Sequence, residues 1–356
     1  MKSVFVVMTA LLILWSASAV SSEEKARSFP DFILNGQVQI QLDDGELGSG
    51  QATSISPVRN GIGSFEAATQ ITPRRLRLKP RVDFSPDLSL MTEFDLEPDE
   101  FEFTALKLTG LDLYLRYEFV DGHHLRGGQF KVPFGSEFFG SSVNLTTVER
   151  SDVSRQFFQR DIGLGAFGNE GRFEYGFAVV QGQGQNERAV DGVNDVAARL
   201  VYEAAPGFRI GASGQLGTYR PEDEGPDLPV RRTGVELHFN TDDWALDAEY
   251  ILSDGYNLFS RGKTPSRGFY AYSTHRLREE LDFVLGYDRF DPDVGSVNSL
   301  FADNTQNERD RFTIGLNAYL SRKPVHRVML NYEIRSELEG PKIDSQGFRL
   351  RYQYTW

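Results

Sequence analysis

The feature that most constrains the fold of this sequence is an alternation of apolar and polar residues in many short segments. In GLDLYLRYEF (110–119), every second residue is apolar or aromatic, and the residues between them are mostly polar or charged. The same pattern recurs in PRRLRLKPRVDF (73–84), DWALDAEYIL (243–252) and FRLRYQYTW (348–356). Successive side chains of a β-strand point to opposite faces, so a period of two predicts strands with one apolar and one polar face.

The lengths of the connections distinguish between the two folds that this alternation allows. A soluble β-sandwich and a membrane β-barrel both alternate, and we count about sixteen segments near the ~10 residues of a tilted membrane strand. Short connections alternate with long ones, and the short ones are SPD (85–87), VDGH (120–123), NEG (169–171), AAPG (204–207), NTDD (240–243), RLRE (276–279) and SRKP (321–324). A barrel with both termini in the periplasm requires tight turns at one rim and long loops at the other. The predicted fold class is therefore all-β, a transmembrane antiparallel β-barrel of about sixteen strands with both termini periplasmic.

The N-terminal residues predict export of the chain. MKSVFVVMTALLILWSASAV begins with the basic Lys2, continues with an apolar run from Val4 to Trp15, and ends in small residues. This is the pattern of a secretory signal peptide, and the run is shorter than the ~20 apolar residues of a spanning helix, which is the alternative interpretation. We assign residues 1–21 to a signal peptide and residues 22–356 to the barrel.

The composition excludes several other classes of protein. The chain has 356 residues and no cysteine, so a secreted scaffold held together by disulfides is excluded. Its formal net charge of −13 argues against nucleic acid as a partner, because binding phosphate backbones requires a basic face. The 27 phenylalanines, 14 tyrosines and 34 glycines favour β-structure with many turns.

One stretch of the sequence, residues 125–164, resembles a known family. It contains GQFKVPFG (128–135), ERS (149–151) and RDIG (160–163), and these motifs in this order resemble the phosphate-selective porin O and P family. GLNAYL (315–320), VMLNYEI (328–334) and FRLRYQYTW also resemble the last strands of that family. The resemblance implies a sixteen-stranded outer-membrane porin, typically a homotrimer, whose third long loop folds into the lumen. The third long connection in this sequence is 132–159, which agrees.

Alternation also assigns the side chains that face the lumen, because outward side chains must be compatible with lipid. Basic residues are expected to face inward on the second strand and on the last two strands, which flank the first strand in a closed barrel. The predicted basic wall comprises Arg75, Arg77, Lys79, Arg81, Arg327, Arg335, Arg349 and Arg351. Guanidinium groups bind phosphate or carboxylate oxygens in a bidentate manner, so such a wall favours anions. The alternative is that these residues pair with inward acids such as Asp83, Glu93 and Asp95 and only line the lumen.

Two further groups of charged residues complete the expected lumen. The opposing acidic wall comprises Asp247, Glu249, Asp282 and Asp288, and the candidates for a constriction are Lys131, Glu137, Glu149, Arg150, Asp152, Arg155 and Arg160. A basic wall facing an acidic wall gives a transverse field that orients small polar solutes and excludes apolar ones. Because the inward charges are mixed in sign, we expect a weak anion preference or none.

The sequence predicts no metal site, no cofactor and no catalytic residues. The five histidines lack metal-ligand spacing beyond the adjacent His123 and His124, which fall in a predicted turn. No serine, histidine and acid are expected to meet at one height of the barrel.

The expected function follows from the barrel and from the resemblance together. We expect a channel in the outer membrane of a Gram-negative bacterium, surrounded by lipid and lipopolysaccharide, for passive diffusion of small hydrophilic solutes. These solutes include anions such as phosphate. The alternatives are a general or oligosaccharide porin without anion preference and, from another class, a barrel enzyme or an adhesin.

Overall fold

The computed structural model describes residues 28–45, 69–98, 106–157, 160–187, 195–220, 227–256, 263–294, 308–323, 325–338 and 345–356. The proposed signal peptide, residues 1–21, lies outside these residues. The described chain consists almost entirely of β-strands, and its two short helices and single 3-10 turn lie in one connection.

The strands, labelled in chain order, are β1 Asp31–Gly45, β2 Gln70–Asp83, β3 Leu88–Pro98, β4 Leu106–Val120, β5 His123–Lys131, β6 Arg160–Glu170, β7 Phe173–Val180, β8 Asp195–Ala205, β9 Phe208–Tyr219, β10 Leu228–Asn240, β11 Trp244–Tyr256, β12 Lys263–Arg278, β13 Leu281–Asp291, β14 Arg309–Ser321, β15 His326–Glu337 and β16 Ser345–Thr355. Between β5 and β6 lie helix α1 (Ser136–Phe139), a 3-10 turn (Ser142–Asn144) and helix α2 (Asp152–Arg155).

The sixteen strands form one closed barrel. Each strand pairs antiparallel with its neighbours in the chain, and β1 pairs with β16 to close the sheet. In this closing ladder Gln39 lies opposite Gln353, and on its other side Gln39 lies opposite Arg75 of β2. A closed sheet leaves no strand edge with unpaired backbone groups. The predicted fold class, a closed antiparallel barrel of sixteen strands, is confirmed.

The two faces of the barrel differ as the alternation predicts. On β16, Phe348, Leu350 and Tyr352 are exposed on the outer face, whereas Arg349 and Arg351 are 1% and 0% exposed on the inner face. The other strands repeat this arrangement, so the outer surface is apolar and aromatic and the inner surface carries the charged side chains. No helix among the described residues is long and apolar enough to cross a membrane.

The C-terminal residue Trp356 closes the seam between the first and last strands. Its N–H donates to the carbonyl of Gly36 (3.2 Å), and its own carbonyl accepts from the Gly36 N–H (3.1 Å). The indole covers Gly36 and occupies the space that a side chain at this position would need. An aromatic ring covering a glycine on a neighbouring strand stabilises the pairing of the two strands. The terminal tryptophan is thus part of the barrel wall.

Short and long connections alternate along the barrel. The short connections are 84–87, 121–122, 171–172, 206–207, 241–243, 279–280 and 322–325, and each lies at or beside a turn predicted from the sequence. The turn expected at 276–279 comes later, because Arg276 and Arg278 continue β12 through a bulge and Arg276 forms an ion pair with Asp282 of β13 (4.0 Å).

The third long connection packs against the inner wall of the barrel. Phe134, Phe138 and Phe157 of this connection are buried in one cluster with wall residues such as Phe130 and Tyr270. The ring of Phe157 meets the ring of Phe134 edge to face, with centroids 5.6 Å apart. Burying aromatic rings in this way contributes several kcal/mol, about 1.5–3 kcal/mol for each side chain, and holds the connection inside the barrel.

A candidate channel lumen

The residues of the predicted basic wall lie on adjacent strands. Strands β15, β16, β1 and β2 follow one another around the barrel, and β1 contributes inward glutamines between the arginines. The order of strands therefore brings together Arg75, Arg77, Lys79, Arg81, Arg327, Arg335, Arg349 and Arg351. The positive charge that this wall presents to a solute depends on the partners of each cation.

Most of these cations are paired with carboxylates of the same wall. On β2, Arg77 Nε lies 2.6 Å from Asp95 Oδ2, and Arg81 Nε lies 2.5 Å from Asp83 Oδ1. Lys79 Nζ lies 3.4 Å from Glu93 Oε1. These three acids are those that the alternative interpretation of the sequence named as partners.

A second paired group lies on β14, β15 and β16, and its members are buried except for Arg335, whose side chain is 16% exposed. Arg335 donates to Glu333 (2.9 Å), and Arg349 Nε lies 3.3 Å from Asp43 and 3.7 Å from Glu333. Arg311 of β14 lies 3.7 Å from the same Glu333. Glu333 is therefore the centre of three guanidinium groups, and its charge is needed to compensate them.

Arg327 differs from its neighbours because its partners are neutral. Its Nη2 donates to the carbonyls of Val143 (2.8 Å) and Leu145 (3.0 Å) in the third long connection. No carboxylate of the described chain lies within ion-pairing distance of Arg327. Carbonyl dipoles orient the guanidinium but leave its full positive charge in the lumen.

Glu149 of the third long connection reaches across to the basic wall. It accepts from Arg74 Nε (2.8 Å) and Arg351 Nη2 (2.6 Å), and Arg75 Nη2 lies 3.9 Å away. Burial by itself raises the pKa of Glu149, but the three guanidinium groups outweigh this effect and hold the pKa well below its ordinary value. The carboxylate is therefore ionised at any physiological pH.

The constriction candidates Lys131 and Arg160 lie where the connection leaves and re-enters the wall. Lys131 Nζ donates to the carbonyls of Phe139 (3.1 Å) and Gly140. Arg160 Nε lies 2.6 Å from Asp112 and its Nη2 lies 3.5 Å from Glu93. Among the described residues Lys131 has no carboxylate partner, whereas Arg160 has two.

The candidates Glu137 and Arg150 hold the connection together from within. Glu137 accepts from the N–H (2.9 Å) and the hydroxyl (2.6 Å) of Ser151, while Arg150 Nε donates to the carbonyl of Glu137 (3.1 Å). Burial raises the pKa of Glu137, against the opposing effect of these hydrogen bonds. Burial also lowers the pKa of Arg150 to about 10, so the guanidinium stays charged at neutral pH.

The candidates Asp152 and Arg155 connect helix α2 to the far wall. Asp152 Oδ2 lies 2.6 Å from Arg309 Nε, and its Oδ1 lies 3.6 Å from Arg155. Burial raises the pKa of Asp152, but the combined effect of these arginines is larger and lowers it. The N–H of Asp152 donates to Asp288 of the predicted acidic wall (3.3 Å).

The four residues of the predicted acidic wall lie in four different environments. Asp288 forms an ion pair with Arg311 (2.7 Å), and Asp282 forms one with Arg322 (2.9 Å). Asp247 Oδ1 lies 2.7 Å from His238 Nδ1. Glu249 accepts from the Ser136 N–H (2.9 Å), and no cation of the described chain lies within ion-pairing distance of it. Most charges of both walls are thus compensated, and among the described residues Arg327 and Glu249 are exceptions.

Two sites missed from the sequence are the residues Arg74 and Arg126. Strand β2 has a bulge at Pro73 and Arg74, which turns Arg74 inward beside Arg75 although strict alternation assigns it to the outer face.

Arg126 of β5 donates to His124 (3.1 Å) and lies 4.0 Å above the ring of Phe167. In the part of the chain that the structure describes, Arg126 has no carboxylate partner. Alternation alone identifies it as an inward cation, since Leu125 is exposed outside.

One expectation from the sequence is wrong, because a serine, a histidine and an acid do meet. Ser136 Oγ lies 3.1 Å from His238 Nε2, and His238 Nδ1 lies 2.7 Å from Asp247. Ser136 is brought there by the inward fold of the third connection, which strand height alone does not reveal.

The partners of this trio do not support nucleophilic catalysis. His238 Nε2 also lies 3.3 Å from Glu236 Oε1, and a ring nitrogen that donates to a carboxylate has no lone pair for a serine proton. The N–H of Ser136 donates to Glu249, and the N–H of Gly135 donates to Ser213 (3.1 Å), so neither is free for an oxyanion. The trio anchors helix α1 to the wall.

The comparison with known structures matches the whole barrel. The anion-selective porin from Comamonas acidovorans superposes with a TM-score of 0.64 at 11% identity, covering 92% of this chain and 99% of that chain. The outer membrane channel DcaP of Acinetobacter baumannii gives a TM-score of 0.68 at 15% identity, covering 94% and 100%. Salmonella typhi OmpF in complex with daunomycin gives 0.60 at 11% identity, covering 92% and 98%. At these identities the likeness shows a shared fold.

The comparison with sequence families identifies one that this chain resembles. No curated sequence matches the chain. The sequence model described as phosphate-selective porin O and P matches residues 62–225, which include the motifs at 128–135, 149–151 and 160–163. The resemblance seen in the sequence is therefore confirmed: the chain is a sixteen-stranded barrel of the porin fold whose residues 62–225 carry the pattern of the phosphate-selective porin O and P family.

Proposed function

We propose that the chain forms a water-filled channel in the outer membrane of a Gram-negative bacterium, through which small hydrophilic solutes diffuse passively. The observation that carries this proposal is the closed barrel with an apolar, aromatic outer face and charged side chains inside. A strand spans hydrocarbon only when the sheet has no edge, and a sixteen-stranded barrel is wide enough for an aqueous lumen. Residues 1–21 act as the signal peptide, both termini lie in the periplasm, and the assembly is a homotrimer.

The proposed selectivity is a weak preference for anions such as phosphate. It is supported by the inward cations with neutral partners, namely Arg126, Lys131, Arg150 and Arg327. A cation paired with a carboxylate contributes little net field to a passing solute, whereas a cation held by carbonyls keeps its full charge. Glu249 and Glu137, whose partners are N–H and hydroxyl groups, counteract these cations to the extent that they are ionised. The preference is therefore small.

A second candidate function, a general porin without anion preference, is favoured by the pairing of the basic wall. Arg77, Arg81 and Arg335 each have a carboxylate within 3 Å. If the unpaired cations lie away from the path of the solute, the remaining charges cancel and the channel discriminates only by size.

Replacing Lys131 and Arg126 by glutamine distinguishes the two functions. If the weak anion preference is correct, the double variant lowers the ratio of chloride to potassium permeability by roughly two- to threefold, as expected from removing two nearby charges at moderate ionic strength. The control is Arg81→Gln, whose charge is already compensated by Asp83. An equal ratio in the wild type, the double variant and the control would favour the general porin.

A further inference from the structure

Three guanidinium groups from two strands converge on one loop carboxylate. Arg74 and Arg75 come from β2, Arg351 comes from β16, and β1 lies between these strands. Glu149 Oε1 accepts from Arg74 Nε (2.8 Å) and Arg351 Nη2 (2.6 Å), and Oε2 accepts from Arg74 Nη2 (3.2 Å). Arg75 and Arg351 are almost fully buried, whereas the Arg74 side chain is 20% exposed and faces the lumen.

The carboxylate does not use all the donors that surround it. Arg75 Nε and Arg351 Nη1 are buried and have no hydrogen-bond partner among the described residues. Thr72, which lies opposite Gln41 in the β1–β2 ladder, also has a buried hydroxyl without a partner there. A carboxylate offers two oxygens in one plane, whereas a tetrahedral oxyanion offers oxygens in several directions. The donors without a partner therefore fit a tetrahedral oxyanion better than a carboxylate.

We propose that Arg74, Arg75 and Arg351 form a binding site for a tetrahedral oxyanion such as phosphate or sulfate, and that the Glu149 side chain occupies this site as a tethered anion. Because the carboxylate is attached to a loop held inside the barrel, its effective concentration at the arginines is in the millimolar range or above. A free anion whose concentration lies below this effective concentration does not displace the carboxylate. Glu149 thereby limits the anion preference of the channel, and this consequence rests on the proposed function.

The loop around Glu149 is anchored by contacts that do not involve its carboxylate. The N–H of Val148 donates to Asn331 Oδ1 (2.6 Å), and the carbonyl of Arg150 accepts from Arg311 (2.9 Å). The hydroxyl of Thr147 donates to the carbonyl of Glu149 itself (2.6 Å). Removing only the carboxylate therefore leaves the backbone of the loop in place and opens the arginine site.

Thermal unfolding of purified Glu149→Ala in detergent, measured with increasing sodium phosphate at constant ionic strength, tests the binding site without any channel measurement. We expect Tm to rise by a few degrees between about 0.1 and 10 mM phosphate, because an anion that binds only the folded barrel stabilises it. The wild type, whose site is occupied, shows no such rise, and chloride at equal ionic strength does not replace phosphate. If Glu149→Ala does not assemble, Glu149→Gln keeps the side-chain volume and serves instead.

The matched control is Asp83→Asn, which also removes one inward, buried carboxylate. Asp83 forms its ion pair with Arg81 at the end of β2, away from Arg74, Arg75 and Arg351. Its Tm should not depend on phosphate. The same dependence of Tm on phosphate concentration in Glu149→Ala, Asp83→Asn and the wild type would overturn the proposed site.

Planar-bilayer recording tests the consequence for the channel. In Glu149→Ala, millimolar phosphate should block a saturable part of the chloride current, and the ratio of chloride to potassium permeability should rise about threefold over the wild type. Asp83→Asn should show no phosphate block. Absence of conductance in every variant would contradict the channel but leave the thermal titration to decide on the site, whereas normal conductance without block would contradict the site alone.

Discussion

Replacing Glu333 by glutamine should destabilise the barrel more than its small change in size suggests. Glu333 is fully buried between Arg335 (2.9 Å), Arg311 (3.7 Å) and Arg349 (3.7 Å). Glutamine keeps the volume and one acceptor oxygen but leaves these three cations with one negative charge fewer.

The expected loss follows from the partners that remain. Removing one member of a buried ion pair typically costs about 3–5 kcal/mol. Arg311 keeps Asp288 and Arg349 keeps Asp43, so only Arg335 loses its carboxylate partner. We therefore expect a loss near the lower end of that range, about 3 kcal/mol in the free energy of unfolding.

Urea-induced unfolding in lipid vesicles, followed by tryptophan fluorescence and by gel mobility, measures this loss. The control is Glu170→Gln, which removes a carboxylate whose side chain is 80% exposed and whose ion-pair partner among the described residues is His123. An exposed pair of this kind contributes little, so the control should stay within about 0.5 kcal/mol of the wild type. A loss below about 1 kcal/mol in Glu333→Gln would refute the view that Glu333 is needed to compensate the guanidinium groups around it.

Three further predictions concern the connection inside the barrel and the closing seam. Phe157→Ala removes a ring packed against Phe134 and Arg232, so we expect a loss of about 3 kcal/mol in the free energy of unfolding and a larger, noisier single-channel conductance. Unchanged conductance would contradict the role of this ring in holding the third long connection. The folded-state pKa of Glu149 lies below its unfolded value, so its stabilisation is complete at neutral pH and is lost as the pH falls through the folded pKa. The difference in unfolding free energy between the wild type and Glu149→Gln should therefore be constant from pH 8 to about 5 and shrink below about pH 4. A difference that already changes near neutral pH would contradict a lowered pKa of Glu149 in the folded state. Gly36→Val displaces the Trp356 indole and should lower the temperature at which the barrel loses its folded gel mobility. The control is Gly214→Val on β9, where a side chain would make only an ordinary van der Waals contact with the carbonyl oxygen of Arg232.

The barrel itself was predictable because its signal is local. Alternation of side chains is visible within about ten residues and fixes which face of a strand points outward, and alternation of connection lengths can be read directly along the chain. The two arginines of the last strand illustrate this, since their neighbours Phe348 and Leu350 are exposed and they are buried.

The partners of the inward charges were less predictable because they lie far apart in the sequence. Glu149 meets Arg351 across the lumen, and Ser136 meets His238 because the third connection folds inward. Alternation places each strand residue on a face but contains no information about the path of a loop. Arg74 was missed for a different reason: the bulge after Pro73 interrupts the period of two, and only the pairing of β1 with β2 reveals it.

The measurement that tests the central claim most directly is the reversal potential of the purified, reconstituted wild-type protein in a potassium chloride gradient. We predict an ohmic conductance whose reversal potential is displaced slightly toward the chloride equilibrium potential, as expected for an aqueous lumen with few uncompensated cations. A bilayer that stays silent despite folded protein would contradict the channel, and a reversal potential displaced toward that of potassium would contradict its anion preference.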